Sequence, residues 1–118
     1  GWFPHWCGFA DEKGVGSGVG ANANFPLEPG SGDDAFLARL DQVCEQVSDF
    51  AAGTLVVSLG VDAGASDPES PLRVTNTGFR SVGERLRSLD LPTVLVQEGG
   101  YDLGALGPDV LAVLTPFL

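Results

Sequence analysis

Two loops of this sequence carry side chains that could bind a ligand. Asp62 and Asp67 follow one apolar run, and Glu98 and Tyr101 follow a second. When such runs form parallel strands, ligands bind where the loops leave the carboxyl ends of those strands. If the two strands are neighbours, Asp62 and Tyr101 converge on one site. Each residue also has an ordinary structural explanation, since Asp is common in turns and a Tyr at a helix start commonly packs.

Other motifs lack the context that their chemistry needs. Residues 16–21 fit the G-x-G-x-x-A form of a dinucleotide fingerprint, but no strand is predicted before them and no helix directly after. Ser58 lacks the first glycine of G-x-S-x-G and lies inside an apolar run. A metal site built from this chain alone would combine carboxylates with His5, without H-x-x-H or C-x-x-C spacing. Residue chemistry alone therefore indicates an α/β domain with an acidic loop.

Two amphipathic helices are predicted from apolar residues that recur at spacings of three and four. The first takes Asp33 or Asp34 as its N-cap, ends at Gly53 and buries one face. The second begins near Thr77 and is stopped by Pro92. The apolar positions are Phe36, Leu37, Leu40, Val43, Cys44, Val47 and Phe50 in the first helix, and Phe79, Val82, Leu86 and Leu89 in the second.

Two apolar runs, 54–59 and 93–97, predict strands that are covered on both faces. A final helical stretch follows the second run, and we expect Pro108 and Pro116 to interrupt it. The order helix, strand, helix, strand, helix predicts an α/β fold with parallel strands and right-handed crossovers.

Composition narrows the class of protein. The chain has 118 residues, which is one domain or less, and 43% of them are hydrophobic, which is enough for a packed core. A formal net charge of −10 argues against nucleic acid and anionic membranes as partners, because both are bound by Lys and Arg. Without a membrane-length apolar run or a signal-peptide pattern at its start, the protein is expected to be cytoplasmic. Cys7 and Cys44 are expected to be reduced thiols.

The loops together resemble the zinc-dependent histone deacetylase superfamily, whose bacterial members include acetylpolyamine amidohydrolases. The resemblance rests on VVSLGVD at 56–62, Asp67-Pro68 and VQEGGY at 96–101. Further matches in the right order are Phe3-Pro4, Asp11-Glu12, the glycines at 14, 16 and 18, and NFPL at 24–27. The resemblance covers essentially the whole chain and implies a parallel-sheet fold of the arginase and deacetylase type.

Individual residues acquire roles through this resemblance. Asp62 matches the zinc-ligating aspartate, and a catalytic zinc needs three protein ligands and an open position. Tyr101 matches the catalytic tyrosine, whose hydroxyl would donate to the amide oxygen as negative charge develops. Gly99 and Gly100 match positions where the backbone passes close to the acyl group. Phe3 matches the aromatic wall of the acyl-lysine tunnel.

Glu69 bears on the substrate class. The position after Asp-Pro is Leu or Met in many lysine deacetylases of this family. A glutamate there resembles the polyamine-preferring branch, where its charge would attract a secondary ammonium. Glu69 is explained equally well as a loop residue that faces solvent. The implied substrate is therefore a small acetylated amine, such as an acetylpolyamine, or an acetyl-lysine peptide.

The sequence also departs from the family pattern. The family takes two zinc ligands, an Asp and a His, from an earlier strand, and its general base from a His-His pair upstream of them. This sequence, with one His, contains neither set. The family's Pro-Gly-Thr-Gly turn is also altered, at residues 4–8. We therefore expect 1–118 to be the C-terminal part of a deacetylase domain, with an irregular segment 1–32 before the elements of 33–118. Taken alone, this part should be inactive and prone to associate.

Zn²⁺ is the implied cofactor, while a monovalent cation and a homo-oligomer are left open. One alternative is a non-catalytic binding or assembly module that retains the deacetylase fold. A second is an unrelated α/β nucleotide-binding domain.

Overall fold

A parallel pair of strands with helices packed beside it forms the frame of the molecule. The computed structural model describes residues 5–118, so Phe3, predicted to line a substrate tunnel, lies outside the described residues. The elements in chain order are a 3-10 turn (Gly16–Gly18), α1 (Asp33–Asp49), β1 (Leu55–Leu59), α2 (Asn76–Ser88), β2 (Thr93–Gln97), α3 (Leu103–Leu114) and a 3-10 turn (Thr115–Phe117). β1 and β2 pair in parallel along their full lengths, with Ser58 beside Val96. The predicted α/β class with a parallel sheet is confirmed.

The helices pack mainly against one another. The helices α2 and α3 form the largest helix–helix interface, and α1 packs beside α2. No helix within residues 5–118 combines the length and apolar character needed to cross a membrane.

The start of α1 corrects the predicted capping. The N-cap is Gly32, in place of Asp33 or Asp34. The carboxylate of Asp33 instead accepts hydrogen bonds from the backbone N–H of Thr75 (2.7 Å) and from its hydroxyl (2.6 Å). Thr75 in turn is the N-cap of α2 and accepts from the N–H of Gly78. Asp33 therefore ties the start of α1 to the start of α2.

The core lies where α2 and α3 meet the carboxyl end of the sheet. Its buried members are Leu59, Val61, Val74, Phe79, Ala112 and Val113. Gly83 of α2 lies so close to the backbone of Val113 that a Cβ would overlap with it. The two helices can therefore approach one another only because residue 83 has no side chain. Leu59 and Val61 belong to this core, so the chain is anchored on both sides of Gly60.

Within residues 5–118 one face of the sheet is open, whereas the apolar runs predict strands covered on both faces, so any cover on that face lies outside the described residues. Val57 and Leu95 pack against the core. The alternate residues Val56, Val94 and Val96 are 66%, 53% and 45% exposed. Helix α1 contains no buried residue, and its predicted apolar face is half-buried for most of its length. The described elements thus cover one side of the sheet, and a continuous apolar run does not reveal which side that is.

Helix α3 also differs from the prediction, because it runs through Pro108 without interruption. Proline has no N–H for the carbonyl four residues earlier, but that carbonyl belongs to Gly104, an exposed residue. The carbonyl of Pro108 itself accepts a hydrogen bond from the Asn76 side chain (3.1 Å), which also donates to the buried Asp109 carboxylate (2.8 Å). Pro116 lies beyond the end of α3, in the final 3-10 turn.

Both cysteines are free thiols, as predicted, with Cys7 exposed and Cys44 half-buried on α1. Burial raises the pKa of the Cys44 thiol, and the nearby carboxylate of Asp41 adds to the effect, while the Arg85 guanidinium opposes it. Cys44 is therefore more fully protonated at neutral pH than an ordinary thiol, and less nucleophilic.

Candidate active site

Asp62 lies just beyond the carboxyl end of β1, in a segment fixed by backbone hydrogen bonds. The N–H of Glu98 donates to the carbonyl of Leu59 (2.8 Å), and the N–H of Val61 donates to the carbonyl of Gly99 (2.9 Å). These bonds continue the parallel pairing past the ends of both strands. Since the Val61 side chain is buried, the backbone that enters Asp62 has little freedom.

The Asp62 carboxylate occupies space that two glycines leave open. A Cβ on Gly60 would lie 2.6 Å from Oδ1 of Asp62, and a Cβ on Gly99 would lie 2.5 Å from Oδ2. Asp62 is half-buried, and no residue of the described range 5–118 forms a hydrogen bond or ion pair with its carboxylate. The half-buried carboxylate still reaches solvent, and no protein donor among the described residues uses its lone pairs. Both of its oxygens are therefore available to a cation.

The chemistry of Asp62 fits one position of a zinc site but does not complete it. A carboxylate oxygen is an accepted zinc ligand, and a catalytic site uses three protein ligands. Within residues 5–118, no group of three His, Cys, Asp or Glu side chains is arranged to hold a metal ion. Asp62 can thus contribute one ligand to a site whose other ligands do not come from the described residues.

Asp67 joins the two predicted loops. Its Oδ2 accepts hydrogen bonds from the N–H of Tyr101 (2.7 Å) and the N–H of Asp102 (3.2 Å). Its Oδ1 accepts from the N–H of Glu69 (2.9 Å). The bond to Glu69 is foreseeable, because Asp commonly accepts from the backbone two residues on. The bond to Tyr101 spans 34 residues, and no local sequence signal indicates it.

Asp102 fixes the start of α3 next to Tyr101. As N-cap, its carboxylate accepts from the N–H groups of Gly104 (2.9 Å) and Ala105 (3.3 Å). A side-chain hydrogen bond from Ser66 is the main cause that lowers the pKa of the Asp102 carboxyl, and the backbone donors add to it. Ser66 and Asp67 therefore hold the Tyr101 loop from the same side.

The remaining predicted residues lie at the same edge. The Tyr101 side chain is 56% exposed, and Glu69 is exposed. Gly100 has φ +145°, and a Cβ there would meet Leu106 and Val61 at 2.7 and 2.8 Å. Contact of Gly99 and Gly100 with an acyl group remains a prediction. The structure supplies a separate reason for each glycine, namely room for the Asp62 carboxylate and room for the core.

Sequence and structure comparisons agree on the family. The pattern of the histone deacetylase domain matches residues 1–116. Acetylpolyamine amidohydrolase 1 of Pseudomonas aeruginosa is 43% identical over 112 residues, which are 95% of this chain and 32% of that protein. The acetylpolyamine amidohydrolase of Burkholderia pseudomallei is 44% identical over 104 residues, which are 88% of this chain and 30% of that protein.

The fold matches as well. A crystal structure of acetylpolyamine aminohydrolase from Burkholderia pseudomallei superposes with a TM-score of 0.94 and 40% identity, covering 98% of this chain and 34% of that one. The chain spans about a third of the length of the relatives it matches. It belongs to the histone deacetylase domain family.

Proposed function

We propose that this chain forms part of a zinc-dependent amide hydrolase that removes acetyl groups from acetylpolyamines or from acetyl-lysine. The observation that carries the proposal is the half-buried Asp62 carboxylate, which has no hydrogen bond within residues 5–118 and lies against Gly99, two positions from Tyr101. The amidohydrolase relatives named above support the reaction class.

The residues have the following proposed roles in the reaction. Asp62 would occupy one position of the metal site. When bound, zinc supplies a Lewis acid that polarises the amide carbonyl. The exposed hydroxyl of Tyr101 would donate a hydrogen bond to the amide oxygen, where negative charge develops as water adds. Hydrolysis then yields acetate and the free amine.

The remaining ligands and the general base are proposed to come from residues outside this chain, because the matched relatives are about three times as long. The 118 residues by themselves are therefore expected to be inactive. Deacetylation by the isolated chain that is abolished by Tyr101→Phe would contradict this part of the proposal.

The central experiment uses the full-length gene product that contains these residues. Purified protein is assayed for bound zinc and for release of acetate from an acetylpolyamine and an acetyl-lysine peptide. Asp62→Asn should lose zinc, whereas Tyr101→Phe should keep zinc and lose about 10²–10³-fold in kcat, the usual cost of removing one oxyanion donor. Glu45→Gln, on the exposed side of α1, is the matched control and should retain both zinc and activity. A wild-type protein with no zinc and no hydrolysis would favour a binding or assembly module instead.

Glu69 supports acetylpolyamine as the substrate. The side chain is exposed, and within the described residues it has no hydrogen-bond or ion-pair partner, so its charge is available to a cationic substrate. Glu69→Leu should lower kcat/KM for an acetylpolyamine relative to an acetyl-lysine peptide. Glu45→Leu makes the same change of charge and shape on α1 and should leave the ratio unaltered. An unchanged ratio in Glu69→Leu would leave Glu69 as a solvated loop residue.

A further inference from the structure

We propose that Asp67 is a positioning residue that sets the Tyr101 loop and the Glu69 loop at once, through a single carboxylate. The kinetic consequence of this inference rests on the proposed deacetylase function, whereas its structural part does not. Three backbone N–H groups converge on Asp67, from Tyr101 and Asp102 on one oxygen and from Glu69 on the other.

Tyr101 needs support from outside its own segment, because the two residues before it restrict the backbone little. Gly99 and Gly100 precede it, and glycine restricts the backbone least. The Tyr101 side chain is 56% exposed, and within residues 5–118 it makes no side-chain hydrogen bond. The backbone position of Tyr101 therefore sets the region that its hydroxyl can reach. At 2.7 Å, the bond to Asp67 Oδ2 is the shortest that the described structure gives to this part of the chain.

Glu69 is in a comparable position. Its side chain is exposed, and its N–H bond to Asp67 Oδ1 closes the turn around Pro68. A shift of the Asp67 carboxylate would consequently move the hydroxyl of Tyr101 and the charge of Glu69 together. The spacing between a reacting acetyl group and a distant ammonium on the same substrate would depend on this one side chain.

The Asp67 carboxylate lies beside a narrow cleft between the two loops. The residual cleft between the two loops, within the described residues, leaves no room for a water molecule. Its lining residues include Ser66, Asp67, Gly100 and Asp102. The hydrogen bonds to Tyr101 and Glu69 are exposed, and the bond to Asp102 is partly buried. Water can solvate these N–H groups once the carboxylate is lost, but separate water molecules cannot link the two loops as one charged side chain does.

Two variants separate the parts of this arrangement. Asp67→Ala removes both acceptor oxygens. Asp67→Asn keeps the shape but has only one acceptor oxygen, and its amide nitrogen is a donor. We expect that oxygen to face the two donors of Tyr101 and Asp102, so that the amide nitrogen faces the N–H of Glu69. Ser70→Ala is the matched control. It removes a side-chain acceptor for the N–H of Leu72 in the same loop, and within the described residues Ser70 forms no hydrogen bond with the Tyr101 loop.

The first measurement is amide hydrogen exchange on the full-length protein, which needs no activity. Asp67→Ala should exchange at least about tenfold faster in peptides that cover 67–72 and 99–103, while a peptide within α2 stays unchanged. Asp67→Asn should release mainly 67–72. Unchanged exchange of 99–103 in Asp67→Ala would overturn the proposal, and so would faster exchange throughout the molecule.

The second measurement is a kinetic cycle with Tyr101→Phe. Asp67→Ala alone should lower kcat by about 10- to 100-fold, as expected for a misplaced catalytic group. If Asp67 acts through Tyr101, Asp67→Ala should lower kcat by less than about twofold when it is added to Tyr101→Phe, because the hydroxyl is already absent. Equal losses in both backgrounds would mean that Asp67 acts on the fold alone. An inactive wild-type protein would refute the proposed function, and the exchange experiment would still decide whether Asp67 holds both loops.

Discussion

Gly99→Ala should displace the Asp62 carboxylate and thereby reduce zinc binding. The added Cβ would lie 2.5 Å from Oδ2 and 2.7 Å from Cγ of Asp62, whereas real Cβ contacts essentially never fall below 3.0 Å. The carboxylate must therefore retreat by about 0.5 Å. Ligand distances in metal sites hold to within about 0.2 Å, so this retreat exceeds what the site tolerates.

The expected magnitude follows from this displacement. Perturbing a group that orients a metal ligand typically lowers metal affinity by about 10- to 100-fold. Competition with a fluorescent zinc chelator on the full-length protein measures this affinity directly, and acetate release measures activity. Gly60→Ala approaches the same carboxylate at Oδ1, 2.6 Å away, and should have the same effect by an independent route.

Gly107→Ala is the matched control. Residue 107 lies inside α3, and a Cβ there would meet nothing within 4 Å. The substitution should leave zinc affinity unchanged and raise stability by up to about 1 kcal/mol, because Ala favours a helix more than Gly does. Wild-type zinc affinity in both Gly60→Ala and Gly99→Ala, with normal thermal unfolding, would refute the assignment of Asp62 as a ligand.

Three further measurements test other parts of the structure. A slow alkylating reagent should modify exposed Cys7 well before Cys44, whose pKa is raised by burial; equal rates, measured by mass spectrometry, would contradict the half-buried position. Asp102 has a pKa below its usual 3.8, so its contribution to stability is present above about pH 4 and is lost as the pH falls through the folded pKa. Acid unfolding followed by circular dichroism should therefore be less pH-dependent in Asp102→Asn, and identical curves would count against the cap. The isolated chain should associate as its concentration rises, and Val94→Thr with Val96→Thr should weaken that association in analytical ultracentrifugation. Unchanged association of this double variant would contradict a contact through the open sheet face.

The elements that the sequence predicts well are those whose signal is local. Helix α2 buries Phe79, Val82 and Leu86, because spacings of three and four place these residues on a single face. The strands lie almost where the apolar runs predict them. The sequence does not indicate which face of each strand is covered, since Val56 and Val94 would fit a buried face as well as the open face on which they lie.

Two local predictions about the helices failed, each for a different reason. Asp33 does not cap its own helix, since Thr75 offers it two donors from the start of α2. Pro108 does not end α3, and the carbonyl that it leaves without an N–H belongs to the exposed Gly104. The partner of Asp33 lies 42 residues away, beyond the range of a local sequence signal.

The candidate site shows the same division. The placement of Asp62 and Tyr101 at one edge of the sheet follows from parallel strands and could be predicted. The contacts that orient them could not. The Asp62 carboxylate has room because Gly60 and Gly99 lack side chains, and the backbone of Tyr101 donates a hydrogen bond to Asp67.

The positioning of the site and its chemistry thus depend on different parts of the chain. Leu59 and Val61 anchor the approach to Asp62 from the core, and Asp67 holds the Tyr101 loop, so the described residues fix this edge largely by themselves. The same residues leave the Asp62 carboxylate without a donor and offer no group of three metal ligands within 5–118. The Asp62 carboxylate thus has no structural partner among the described residues, although backbone hydrogen bonds fix the segment that leads to it. Both features are consistent with the role proposed for Asp62, because a metal ligand must be fixed in position and free to bind.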